Sequence, residues 1–212
     1  MEKKLVMLLL FCSSVLGFAQ HGDPNSMATF GLISSFLNQR WNVGYMHKIT
    51  DNIWLGSDVG YGAKGMVLPL TEDVISYQSF EIRPAFYYSL APESRVKHFV
   101  GAEFFHISTE KREDNFHFWD NNLYYWADAG TMNRRKTGGN VTYSVLLHGE
   151  KSRIAFMPKI GVGIRNLKIN YTDSVNVSES SPPTDGFPPF SNSPREGNGF
   201  NFDLDIKLVY KF

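Results

Sequence analysis

From Phe200 to Phe212 the chain alternates without a break. Phe200, Phe202, Leu204, Ile206, Leu208, Tyr210 and Phe212 fall on one face, and Asn201, Asp203, Asp205, Lys207, Val209 and Lys211 on the other. A period of two predicts a β-strand with one apolar and one polar face. Its length is close to the roughly 9–11 residues that a tilted strand needs to cross a bilayer. Asp203, Asp205, Lys207 and Lys211 are too much charge for the core of a soluble sandwich. They suit a barrel with a polar interior and an apolar outside.

The same period recurs upstream. Strands are predicted at Phe30–Phe36, Arg40–Ile49, Ile53–Gly62, Tyr77–Leu90, Val96–Ser108, Asn140–His148 and Arg153–Tyr171. Pro84 removes a ladder donor, so a bulge or local irregularity is expected there. Connections at 50–52, 91–95 and 149–152 are short, and those at 63–75, 109–134 and 172–198 are long. Short turns at one end and long loops at the other are the pattern of an outer-membrane barrel. With both termini at the short-turn end the strand count is even. Eight strands result if Phe30–Phe36 is separate and Leu37–Gln39 is a turn at the far end. The predicted fold is therefore all-β, an antiparallel eight-stranded up-and-down transmembrane β-barrel.

Composition adds the address. The 212 residues suffice for one domain, and 21 basic against 21 acidic residues give no bulk charge for nucleic acid. A mean hydropathy of −0.24 does not exclude a membrane barrel, because half of each strand is polar. Lys3 and Lys4, the apolar run Leu5–Phe11 and the small residues Gly17 and Ala19 read as a cleaved signal peptide over residues 1–19. Residues 20–212 are then the barrel. Losing Glu2, Lys3 and Lys4 leaves 19 basic and 20 acidic residues, a net charge of −1. Cys12, the one cysteine, follows Phe11 where a lipidation site wants a small residue, so it leaves with the signal. The expected location is the outer membrane.

Three features resemble the small outer-membrane barrels of Gram-negative bacteria, the OmpA/OmpX shape. They are the signal ending Phe18-Ala19-Gln20, eight alternating strands, and a last strand ending Val209-Tyr210-Lys211-Phe212. The segments Gly44–Asp51 and Phe80–Tyr87 resemble a largely uncharacterised barrel family common in Bacteroidota. That resemblance implies a monomer in outer-membrane lipid. It also implies that Tyr210 and Phe212 form the signal read by the barrel-assembly machinery.

Candidate chemistry is sparse. The predicted inward charges are Lys48, Asp58, Glu81, Arg83, Glu103, Lys159, Arg165, Asp203, Asp205 and Lys207, balanced in sign. An eight-stranded barrel is just wide enough for side chains to fill, so these are expected to pair into a plug that is not an open pore. His106 and Ser108 share an outward face near the long-loop end. A His-x-Ser pair there is similar to the outer-membrane lipid A deacylases, in which His activates Ser. The family's Asn after Ser is replaced by Thr109, so a lipid-modifying hydrolase is the alternative to a non-enzymatic barrel. The aromatics of 116–126 are expected in a girdle or in loop packing, with a contact surface as the other reading. Asp114, His117 and Asp120 have irregular spacing, and no metal or cofactor is expected. Asp173-Ser174-Val175 resembles a Bacteroidota O-glycosylation sequon, making Ser174 a modification candidate. Gly161 and Gly163 sit within a strand, where they admit bulky neighbours in a narrow barrel. The expected role is structural, or surface contact with a ligand or protein through loops 109–134 and 172–198, with no nucleic acid as partner. A soluble calyx is a third reading, and it requires an apolar interior.

Overall fold

A computed structural model describes residues 25–66, 74–92, 94, 96–120, 123–149, 152–181 and 194–212. The strands are β1 (Ser26–Gly31), β2 (Trp41–Lys48), β3 (Ile53–Ala63), β4 (Val74–Ser89), β5 (Lys97–Asp120), β6 (Leu123–His148), β7 (Ile154–Val175), β8 (Ser178–Glu179) and β9 (Arg195–Lys211). Each long strand pairs antiparallel with its sequence neighbour, and β7 pairs with β9. β9 then pairs with β1, from Met27 opposite Lys211 to Gly31 opposite Lys207. The result is a closed eight-stranded antiparallel barrel. The two-residue β8 lies outside the ring, on β6.

The first predicted strand is corrected. The segment that pairs is Ser26–Gly31, and Leu32–Leu37 forms a short helix, α1. The run Leu32-Ile33-Ser34-Ser35-Phe36-Leu37 has apolar residues at i, i+1, i+4 and i+5, a helical spacing that conflicts with period two. Ser35 Oγ donates back to the Gly31 carbonyl, and it accepts the Asn42 amide at 3.4 Å. Gln39, at φ 54, turns the chain into β2. Closure is unaffected, because β9 pairs with the part of the segment that stays extended.

The long loops are also corrected. Most of 109–134 continues β5 and β6 as a paired hairpin to Asp120 opposite Leu123. Of 172–198, β7 keeps residues to Val175 and β9 begins at Arg195. At Pro84 the β5 ladder skips from Ile82–His106 to Ala85–Glu103 with no change of register, an irregularity without a bulge. The signal segment 1–19 lies outside the described residues.

The two faces take the predicted directions. Val43, Leu55, Phe86, Val141, Val162 and Phe202 are exposed around the outer wall. Inside, the barrel is layered. Met27, Met46, Trp54, Tyr87, Phe99, Leu146, Met157 and Val209 form a buried apolar floor at the short-turn end. Trp54 and Tyr87 meet Phe99 edge-on, with ring centroids 6.0 and 6.3 Å apart. Burying each such side chain contributes about 1.5–3 kcal/mol. The charges sit above this floor.

Candidate functional site

The charge layer begins with strand parity. Glu81 and Arg83 lie two apart on β4, so both point inward. Arg83 Nη2 lies 2.7 Å from Glu81, and its Nη1 reaches Glu103 at 3.1 Å and Asp203 at 2.9 Å. Lys159 bridges the same two acids, Glu103 at 2.8 Å and Asp203 at 2.9 Å. Tyr87 Oη donates to Glu103 at 3.3 Å, and Asn42 Nδ2 donates to Glu81 at 3.3 Å. Beside this network, Lys207 and Asp58 form a second pair at 2.5 Å, supported by Thr29 at 3.2 Å. A buried charge is tolerated only when it is paired and hydrogen-bonded, and these are.

Room for that pair comes from a glycine. A Cβ on Gly44 would collide with the Asp58 carboxylate and crowd the Thr29 hydroxyl. Gly161 does the same service near Thr142 and Asp203.

Three predicted inward charges stand apart. Lys48 lies at the short-turn rim and pairs with Asp51 at 2.8 Å. Asp51 is held below the usual carboxylate range by that hydrogen bond and by the Lys48 charge. Asp205 is buried and accepts the Ile206 amide at 2.9 Å. Arg165 lies at the opposite mouth, with no carboxylate partner among the described residues. Sequence reasoning missed Arg40, whose Nε pairs with Glu81 at 2.9 Å. Its parity with Asn42 and Gly44 was the available signal. Arg134 and Lys136 were missed because the stretch containing them was not read as strand.

On the wall formed by β5, β6, β7 and β9 the outward row Phe104, Gly139, Ile164, Phe200 is the last apolar one. Beyond it come His106, Thr137, Asn166 and Asn198. His106 Nδ1 lies 2.8 Å from Thr137 Oγ1, beside a cleft of about 630 Å³ lined by Phe104, Ile164 and Phe200. The described residues show no hydrogen bond between His106 and Ser108.

The extended hairpin carries its own core. Asn115 has φ 49, and the β6–β7 register shifts between Ala129 and Thr131. Beyond these points Phe116 and Phe118 are buried. Phe116 stacks on Tyr171 at 4.9 Å, and Phe118 stacks on Tyr171 at 5.1 Å and on Tyr125 at 5.5 Å. Burial, with the Glu113 charge nearby, raises the Tyr171 phenol above its ordinary range. His117 stacks on Tyr124 at 5.2 Å. Phe116, Phe118 and Tyr125 therefore pack within the extended hairpin and against Tyr171 of β7. Among the described residues no group of three or more His, Cys, Asp or Glu is placed to hold a metal. Ser174 is exposed on the protruding part of β7, next to Asp173 at φ 54.

No family model and no curated protein matches this chain. Among solved structures, the chain is similar to the crystal structure of Acinetobacter baumannii CarO. The identity is 9%, the match covers 92% of this chain and 100% of that one, and the TM-score is 0.48. The fold stands on the strand pairings themselves.

Proposed function

We propose that this chain is an outer-membrane β-barrel with a non-enzymatic role in envelope structure or surface contact. Its short turns, with the start of β1 and the end of β9, face the periplasm, and its long β5–β6 hairpin faces outward. One observation carries this reading. A closed barrel turns its large apolar side chains outward all round, while Glu81, Glu103, Lys159 and Lys207 are buried within. Water outside would reverse that arrangement, whereas lipid outside requires it.

The interior supports a plug in preference to a channel. An apolar floor lies below a bridged charge layer, and the two fill a lumen of eight strands. Contact falls to the protruding parts of β5, β6 and β7, where an aromatic core holds the hairpin and Ser174 is exposed for glycan attachment. Tyr210 in the closing strand and Phe212 just after it have rings 5.3 Å apart and serve as the handle for the assembly machinery in this reading. Among the described residues His106 makes no hydrogen bond to Ser108, so no hydrolytic role is assigned to it.

Membrane fractionation of the native producer with heat-modifiable gel migration tests the proposal. The expected result is an outer-membrane protein that migrates faster unboiled. Recovery in the soluble fraction overturns it.

A further inference from the structure

The long-connection mouth of the barrel holds a cavity of about 230 Å³ whose wall is unusually basic. Arg40, Lys111, Arg134 and Lys136 line it beside Tyr77 and Thr109, and among the described residues no carboxylate lines it. Two of the cations are already satisfied. Arg40 pairs with Glu81 below, and Lys111 pairs with Glu113 at 2.5 Å. Arg134 and Lys136 have no carboxylate partner among the described residues. They lie two apart on β6, so parity turns both to the lumen. Lys136 Nζ is held 5.3 Å over the Phe105 ring, whose centroid also lies 5.4 Å from Arg83.

Half-buried cations without counter-charges are costly, and an anion removes that cost. We propose that this vestibule binds a tetrahedral oxyanion, the phosphate group of a soluble ligand, between Arg134 and Lys136. Phosphate fits better than a carboxylate, because its charge of about −1.5 to −2 matches two unpaired cations and its oxygens accept several donors. The lumen-facing position selects a soluble source over a lipid headgroup, which would meet the outer wall. The repulsion the two cations feel supports the reading. Burial and the charges of Arg165, Arg40 and Arg195 lower the affinity of Arg134 for its proton. Burial and the charges of Arg165, Arg134, Arg83 and Arg40 bring Lys136 down to about 8. Both residues lie beyond the last apolar row of their wall. The inference goes beyond the envelope role and stands whichever membrane holds the barrel.

Calorimetric titration of the full-length folded barrel in detergent with inorganic phosphate tests it. Saturable binding is expected, weakened about tenfold in Arg134→Gln or Lys136→Gln and about a hundredfold in the double variant. Unchanged heat-modifiable migration shows that these variants fold. Absence of saturable binding, or equal affinity in the folded double variant, overturns the proposal. A second arm uses vesicles carrying a phosphomonoester lipid. Binding there through Arg134 and Lys136, with none to free phosphate, overturns the soluble ligand.

Discussion

Arg83 Nη1 and Asp203 Oδ2 meet at 2.9 Å across the full width of the lumen. Their strands, β4 and β9, are four steps apart in either direction round a ring of eight. One guanidinium thus ties opposite walls together while also holding Glu81 and Glu103. Arg83→Ala leaves Lys159 to hold Glu103 and Asp203, and Arg40 as the one cation, with the Asn42 amide, to hold Glu81. Breaking a buried ion network from one side costs about 3–5 kcal/mol. The expected outcome is a fall of that size in unfolding free energy, read from urea titration of the refolded barrel in lipid. An unchanged midpoint would show that the network contributes no net stability.

The floor predicts the electrical behaviour. Trp54, Phe99 and Met157 close the short-turn end independently of the charges above. Wild-type protein is expected to give no steady conductance in planar bilayers. Arg83→Ala is expected to give none either, because the apolar layer remains. Large stable channels in the wild type would overturn the plug.

Strand parity made most of the barrel legible. With Asp203 and Lys207 of β9 inward, period two puts Glu81, Glu103 and Lys159 on the same side, and in the structure Arg83 and Lys159 bridge Glu81, Glu103 and Asp203. Parity failed where another signal competed. Leu32–Leu37 carries helical spacing within an apolar run, so the first strand was placed too late. The 109–134 segment resembles loop because 109–115 and 133–137, where the strands leave the apolar band, are polar on both faces. No alternation then marks them as strand, and Arg134 and Lys136 went unseen. The floor escaped for a different reason. Met46, Trp54 and Phe99 share a face with Gly44, Gly56 and Gly101, so that face did not read as apolar.

His106 and Ser108 share a face of β5, but the His106 ring is bonded to Thr137 across the β5–β6 ladder. A hydrolase needs His to take the proton from Ser and a third group to orient it. Ser108→Ala is expected to leave lipid A acylation in the producing strain unchanged, as read by mass spectrometry. A changed acyl pattern would restore the enzymatic reading.

Phe118 is the hub of the protruding hairpin, stacked on Phe116, Tyr125 and Tyr171. None of these belongs to the barrel floor. Phe118→Ala is expected to cost about 3–5 kcal/mol locally, in line with loss of a buried phenylalanine. Limited proteolysis should then cut between residues 109 and 134 much faster, while the barrel keeps its heat-modifiable migration. Loss of both together would mean that hairpin and barrel fold as one unit.

Lys136 gives the vestibule a pH signature. Burial and four neighbouring arginines bring its ammonium down to about 8 in the free protein. A bound dianion favours the charged form and raises that value. A pH unit or more below 8 the side chain is already charged, so binding needs no added proton. Above pH 8 binding must draw in a proton, and the affinity falls by up to about tenfold per pH unit until the bound-state value is reached. Sulfate keeps its charge over this range and isolates the effect. Its affinity is expected to be flat below about pH 7 and to weaken from about pH 8 towards pH 10. Lys136→Arg, charged throughout, should bind with no such slope. A slope that survives in Lys136→Arg would assign the titration to another group.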